Sequence, residues 1–174
     1  MTNHTILTIG AFLILTTILV SFYRLLGSSG DDISNSQDLI LATTVATSYI
    51  ELAQGLSFDA ITDTSNVRLS GTAALTSPSL LGPEAGEDSI GAFNDFDDFN
   101  RLVATKAATG TNKIFTTSFR VYYVNPDNVD QISATRSFVK RLDSKTWLSY
   151  PLKSDGATVD TLRMSIAMGY FRFD

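Results

Sequence analysis

The chain opens on an unbroken apolar run. Residues 5–27 read TILTIGAFLILTTILVSFYRLLG, and no Asp, Glu, Lys or Arg occurs before Arg24. As an α-helix, Thr5 to Leu26 would span about 33 Å, the hydrocarbon thickness of a bilayer. Thr5, Thr8, Gly10, Thr16, Thr17 and Ser21 interrupt the aliphatic surface with small and hydroxyl groups, which let helices approach one another closely. The pattern changes at GSSGDD, residues 27–32, a turn and linker signal. Ser34 can cap a second helix. In that helix Leu39, Ile40, Thr43, Ala46, Ile50, Ala53 and Gln54 fall near i, i+3, i+4 spacing, and Gly55 is its stop. This spacing predicts a core helix lying under a sheet. The linker is then a kink or a melted turn in one long N-terminal helix, with Gly27 and Gly30 as hinge.

Beyond Gly55 the helical period is lost. Residues 56–92 are rich in Ser, Thr, Gly and Pro and predict a long loop with short elements. From residue 114 the pattern is β: IFTTSFRVYYV alternates, and NPDN at 125–128 is a turn. RSFVKRLD (136–143) and TWLSYPL (146–152) follow as two strands joined by a tight DSK turn. SDGA is a further turn, and VDTLRMSIAMGYFRF holds the last strand. The expected architecture is α+β: a long, kinked or interrupted N-terminal helix packed on a C-terminal antiparallel sheet of about four strands. Residues 1–30 are one domain, the apolar helix, and 31–174 the other, a globular head.

Composition narrows the function. The high hydrophobic share (44%, mean hydropathy +0.10) is concentrated in the first segment. The net charge of −5 speaks against a broad nucleic-acid surface, which needs clustered Lys and Arg. The absence of cysteine removes disulfides, thiolate metal sites and cysteine nucleophiles. MTNH before Thr5 carries no Lys or Arg and no A-x-A follows, so the segment reads as retained rather than as a cleaved signal. Its length makes it a membrane anchor, and its Thr, Ser and Gly content suits a bundle of its own copies.

The layout resembles type IV pilins and their pseudopilin relatives. LATTVATSYIELAQGLSFDAIT looks like the second half of a pilin-type helix, with an IE pair followed by FD. FNDFDDFN is similar to an acidic-aromatic stretch of some pilin-like proteins, and LRMSIAMGYFRF fits their closing strands. Thr5 stands where pilins usually carry a glutamate. The resemblance implies a structural subunit that polymerises with copies of itself into an extracellular filament on the cell surface. The apolar helix would sit in the inner membrane before assembly and in the filament centre afterwards. Ile6, Ile9, Leu13, Leu15, Ile18, Leu19 and Phe22 would line that centre. Such a subunit needs no cofactor, and the expectation is that it is not an enzyme. A minor pilin or secretion pseudopilin, or a single-pass anchored binding domain, are the alternatives.

The remaining chemistry is sparse. Asp95, Asp97 and Asp98, with Asn94 and Asn100, supply hard oxygen ligands of the kind Ca²⁺ takes. Their spacing is not that of a calcium loop. Phe93, Phe96 and Phe99 recur every three residues, so one helical turn would bury the rings and leave the acids solvated. Ser137 and Lys140 form S-x-x-K, but on a strand i and i+3 point to opposite faces. His4 is the one histidine, so no triad or histidine metal site can form from histidines. Asn3-His4-Thr5 matches a glycosylation acceptor placed against the apolar run. Tyr122, Tyr123, Trp147, Tyr150 and Tyr170 could stack on sugars or bases, or pack in the sheet.

Overall fold

The computed structural model describes residues 2–64, 69–151 and 160–170. The chain forms two compact units, Met1–Ile40 and Leu41–Asp174. Helix α1, Thr2–Gln54, supplies all the described residues of the first and the opening of the second.

The break expected at GSSGDD is absent: α1 runs through Gly27 and Gly30, and Ser34 lies inside it rather than capping a new helix. Two helical glycines cost about 2 kcal/mol relative to alanine. Stopping and restarting the helix would require a second nucleus, at about 4 kcal/mol for a nucleation constant near 10⁻³. Continuity therefore wins. The serines assist, because Ser28 Oγ donates to the Leu25 carbonyl (3.1 Å) and Ser36 Oγ to that of Asp32 (2.8 Å). Their hydroxyls thus bond along the helix instead of competing with it. A Cβ at Gly27 or Gly30 would meet nothing within 4 Å. Gly27→Ala with Gly30→Ala is expected to raise helix stability by about 0.5–1 kcal/mol per site. Circular dichroism of the full chain in detergent checks this; a fall in helical signal would contradict an unbroken helix.

In the second unit the last turns of α1 bury one face, made by Ala42, Val45, Ala46, Tyr49, Ile50 and Ala53. The helix ends where expected. The amide of Gly55 donates to the carbonyls of Glu51 and Leu52, both at 3.1 Å. Five antiparallel strands follow: β1 (Val103–Ala107), β2 (Ile114–Asn125), β3 (Asn128–Ile132), β4 (Val139–Tyr150) and β5 (Thr161–Gly169). Their order is β1-β2-β4-β5, with β3 turned back on the end of β2 at the NPDN turn.

The DSK turn is not made. β4 is one strand of 12 residues, and Phe119↔Ser144 and Arg120↔Asp143 are ordinary partners in its ladder with β2. Leu142, Ser144, Thr146 and Leu148 all point inward, so the period of two passes straight through Asp-Ser-Lys. Thr117 and Thr146 satisfy each other at 2.9 Å inside the sheet. The core between helix and sheet joins Val45, Tyr49 and Ile50 to Phe115, Phe119, Val121 and Leu142. A second, smaller cluster (Phe58, Leu69, Leu75, Leu81, Tyr123) gathers the long loop. Within that loop a short α2, Ala60–Thr64, and a 3₁₀ turn at Thr72–Ala74 form. The final strand falls inside the expected segment, whereas the SDGA turn and residues 171–173 lie outside the described residues.

Candidate functional site

The first unit offers an apolar surface. Ile6, Ile9, Leu13, Leu15, Ile18, Leu19 and Phe22 are all about half exposed or more, and so are Leu7, Phe12 and Ile14 between them. Leu13, Ile14 and Leu15 are successive, about 100° apart around the axis, so the helix is apolar on every side. Three of its hydroxyls bond back to their own helix. Thr8 donates to the carbonyl of His4 (2.6 Å), Thr16 to Phe12 (2.8 Å) and Thr17 to Leu13 (2.8 Å). The most apolar window of α1 has a mean hydropathy of 2.3, and the helix is long enough to cross a membrane. Asn3 also lies in α1.

The second feature is the acidic loop. Phe96–Phe99 forms a 3₁₀ turn capped by Asp95, which accepts from the Asp97 amide at 2.8 Å. Asp98 reciprocates with Oδ2, accepting from the amides of Asn94 (2.9 Å) and Asp95 (3.0 Å). Phe93, Phe96 and Phe99 are buried as expected, with Phe99 edge-on to Phe93 and Phe119. The acids, expected in solvent, are not: Asp95, Asp97 and Asp98 are each 0% exposed. For Asp97 the reversal has a physical cause, a lysine the turn alone does not reveal.

That lysine is Lys140 of β4, itself fully buried. Its Nζ donates to Asp59 Oδ2 (2.9 Å), to Asp97 Oδ1 and to the Phe58 carbonyl (2.7 Å), and lies over the Phe58 ring. Tyr123 donates to the Thr76 carbonyl (2.8 Å), while Asp59 Oδ2 also takes the Thr76 amide (3.0 Å). Asp97 Oδ2 accepts from the Gly82 amide at 3.3 Å. Gly82 has φ of +135°, a conformation open to glycine that brings its N–H to the carboxylate. Asn100 locks the loop onto the sheet, accepting from the Val121 amide (3.0 Å) and donating to the Leu81 carbonyl (2.8 Å).

Not all the acids are balanced. Asp95 Oδ2 and Asp98 Oδ1 are buried and have no hydrogen-bond partner among the described residues. Exposed Glu84 joins them, and carboxylate oxygens of Glu84, Asp95 and Asp98 all lie within 4.8 Å of one another. Glu87 flanks the group, accepting from the Glu84 amide (2.8 Å) and from Asn94 Nδ2. Asp97, one of the three acids singled out by the sequence, is instead committed to Lys140 and Gly82.

Burial, then the charge of Asp97, pushes Asp95 up to about 8 despite the opposing pull of Lys140. Glu84 is pushed up to about 7 by loss of solvent, its bond with Glu87 and the nearby aspartates. Asp98 is raised by burial, which outweighs its two amide bonds. The sign follows. The unfolded Asp95 releases its proton near 3.8, while the folded one holds it to about 8. Its contribution is therefore complete in acid and is lost as pH rises across that window. In chelator, the unfolding midpoint of the full chain should fall between about pH 5 and pH 8, and the fall should be smaller in Asp95→Asn, which keeps the cap and leaves the share due to Glu84. A midpoint that rises over that range would contradict it.

The other candidates disperse. Ser137 Oγ bonds the carbonyls of Val124 (2.7 Å) and Val139 (2.8 Å), away from the Lys140 ion pairs, so S-x-x-K is not assembled. Tyr123 is buried, Tyr122 donates to Asp143 (2.6 Å), Trp147 and Tyr170 are partly buried, and Tyr150 is exposed. Asp59 went unnoticed in the sequence, Lys140 stood out there only as part of S-x-x-K, and Glu84, at the head of the acidic segment, was not counted among the ligands. A signal existed for the lysine: Lys140 shares its inward register with Leu142, and a lysine there must find carboxylates. Compared with known proteins, the chain matches no family model, no curated sequence and no solved structure.

Proposed function

We propose that the chain is a structural subunit of a helical cell-surface filament, of the type IV pilin kind, and that α1 is its polymerising element. The observation that carries this reading is the helix surface: apolar on every side from Ile6 to Phe22, with the Thr8, Thr16 and Thr17 hydroxyls bonded to its own carbonyls. Each such side chain is worth about 1.5–3 kcal/mol when removed from water. Summed over the segment, that excludes water as its resting environment. A bilayer satisfies it before assembly, and a bundle of copies satisfies it afterwards. Gly10 and the threonines suit close helix contact in the bundle. Copies joined through non-equivalent surfaces by a screw operation give an open helix rather than a closed ring. The role requires no cofactor and no nucleic acid.

Negative-stain microscopy of material sheared from the source cells, labelled with antibody to the Leu41–Asp174 unit, tests the reading. Labelled filaments support it. The chain found in membranes alone, with no labelled filament, would leave α1 a single-pass anchor and end the filament proposal.

A further inference from the structure

We propose that Glu84, Asp95 and Asp98 form a divalent-cation site, with Ca²⁺ as its ion, closing the acidic loop over the sheet. This inference is independent of the filament reading.

Asp95 Oδ2 and Asp98 Oδ1 are buried acceptors without a hydrogen-bond donor among the described residues. A buried carboxylate oxygen left so is costly, and two of them sit in one group with Glu84. The remaining oxygens of both aspartates are already engaged by amides of the 3₁₀ turn. The turn therefore fixes which edge of each carboxylate faces its neighbour. A ligand held by the two free aspartate oxygens and by Glu84 at once must be positive and small.

The spacing fits. Two oxygens on one Ca²⁺ are separated by at most about twice the 2.3–2.6 Å bond length, or about 5 Å. The Glu84, Asp95 and Asp98 oxygens lie within 4.8 Å of one another. The donor set is entirely hard oxygen, which suits calcium or magnesium rather than zinc or copper. Glu84 is exposed while the two aspartates are buried, so the site opens to solvent on one side. That side gives a route of entry and room for water ligands, and Glu87 stands beside it as a further carboxylate. Lys140 does not serve this need, because its ammonium is spent on Asp59, Asp97 and the Phe58 carbonyl. Calcium is preferred to magnesium because magnesium demands near-ideal octahedral geometry and gives up water reluctantly.

The test uses the full chain in detergent micelles, stripped with chelator and titrated with CaCl₂ or MgCl₂. Unfolding is followed by the fluorescence of Trp147, and binding by calorimetry. Calcium up to about 1 mM is expected to raise the unfolding midpoint saturably. Glu84→Gln, at an exposed position that leaves the fold intact, should weaken binding about tenfold or more. Asp95→Asn preserves the cap, so it should stabilise the metal-free chain and abolish the calcium response. Asp88→Asn, on the same loop but outside the cluster, should bind as the parent does. No saturable shift, or an equal shift in Glu84→Gln and Asp95→Asn, overturns the site. A response to magnesium as strong as to calcium overturns the choice of ion.

Discussion

Lys140→Met is expected to lower the stability of the second unit by about 3–5 kcal/mol, a large fraction of what holds a domain of this size together. The side chain is replaced by one of similar length, so packing is largely kept. What is lost is the ammonium that Asp59 and Asp97 share in a site with 0% exposure at the lysine. Burial already holds Asp97 above the ordinary carboxylate range, with Lys140 as the main opposing influence. Without it, Asp97 would stay protonated to higher pH, and the penalty should grow as pH rises. Urea titration read by Trp147 at about pH 5 and about pH 8 measures both effects. The triple change Lys140→Met, Asp59→Asn, Asp97→Asn should recover much of the loss, because a neutral cluster has no uncompensated charge. If the single change costs less than about 1 kcal/mol at either pH, the pairs are not what keeps the acids inside.

Leu13→Arg is expected to act on the other unit. A central arginine in an apolar segment costs about 2.5–3.5 kcal/mol on insertion into a bilayer. In a bundle of copies the same charge recurs in every subunit, so the penalty multiplies with length. If α1 polymerises as proposed, surface filaments should be lost and the chain's retention in the membrane reduced, while the fold of the Leu41–Asp174 unit stays intact. Ser29→Arg, in the polar stretch of the same helix, should leave both unchanged. Immunoblots of sheared and membrane fractions separate the outcomes. Filaments assembled normally by Leu13→Arg would show that this surface is not what polymerises.

How far the sequence spoke depended on whether the deciding interaction was local. The apolar run was legible, and of the second helix face Ala46, Ile50 and Ala53 were; Leu39, Ile40, Thr43 and Gln54, expected on that face, are exposed, and Ala42, Val45 and Tyr49 complete the buried side instead. So were the strand from Ile114 and its NPDN turn. Gly27 and Gly30 misled, because their propensity is local while a helix already nucleated on both sides is cooperative. Asp-Ser-Lys at 143–145 has turn composition, yet pairing with β2 on one side and β5 on the other imposes a straight strand. β3, exposed along its whole length, has no alternation to read, and backbone pairing alone makes it a strand. In the acidic loop the residue types were visible but their surroundings were not. The cation that draws Asp97 inside lies 43 positions away, and the partner completing the Asp95–Asp98 group is Glu84, on the near side of the turn.

The span of the Lys140 contacts bears on the order in which the chain folds. Lys140 lies 81 residues from Asp59, and the helix face that covers β4 and β5 is farther back still. Much of that core awaits β4 and β5, whereas α1 is made before them and needs no distant partner to be helical. Closing such long loops is entropically slow. A helix long and apolar enough to cross a membrane is thus complete before the second unit can fold, so whatever covers it can engage it first.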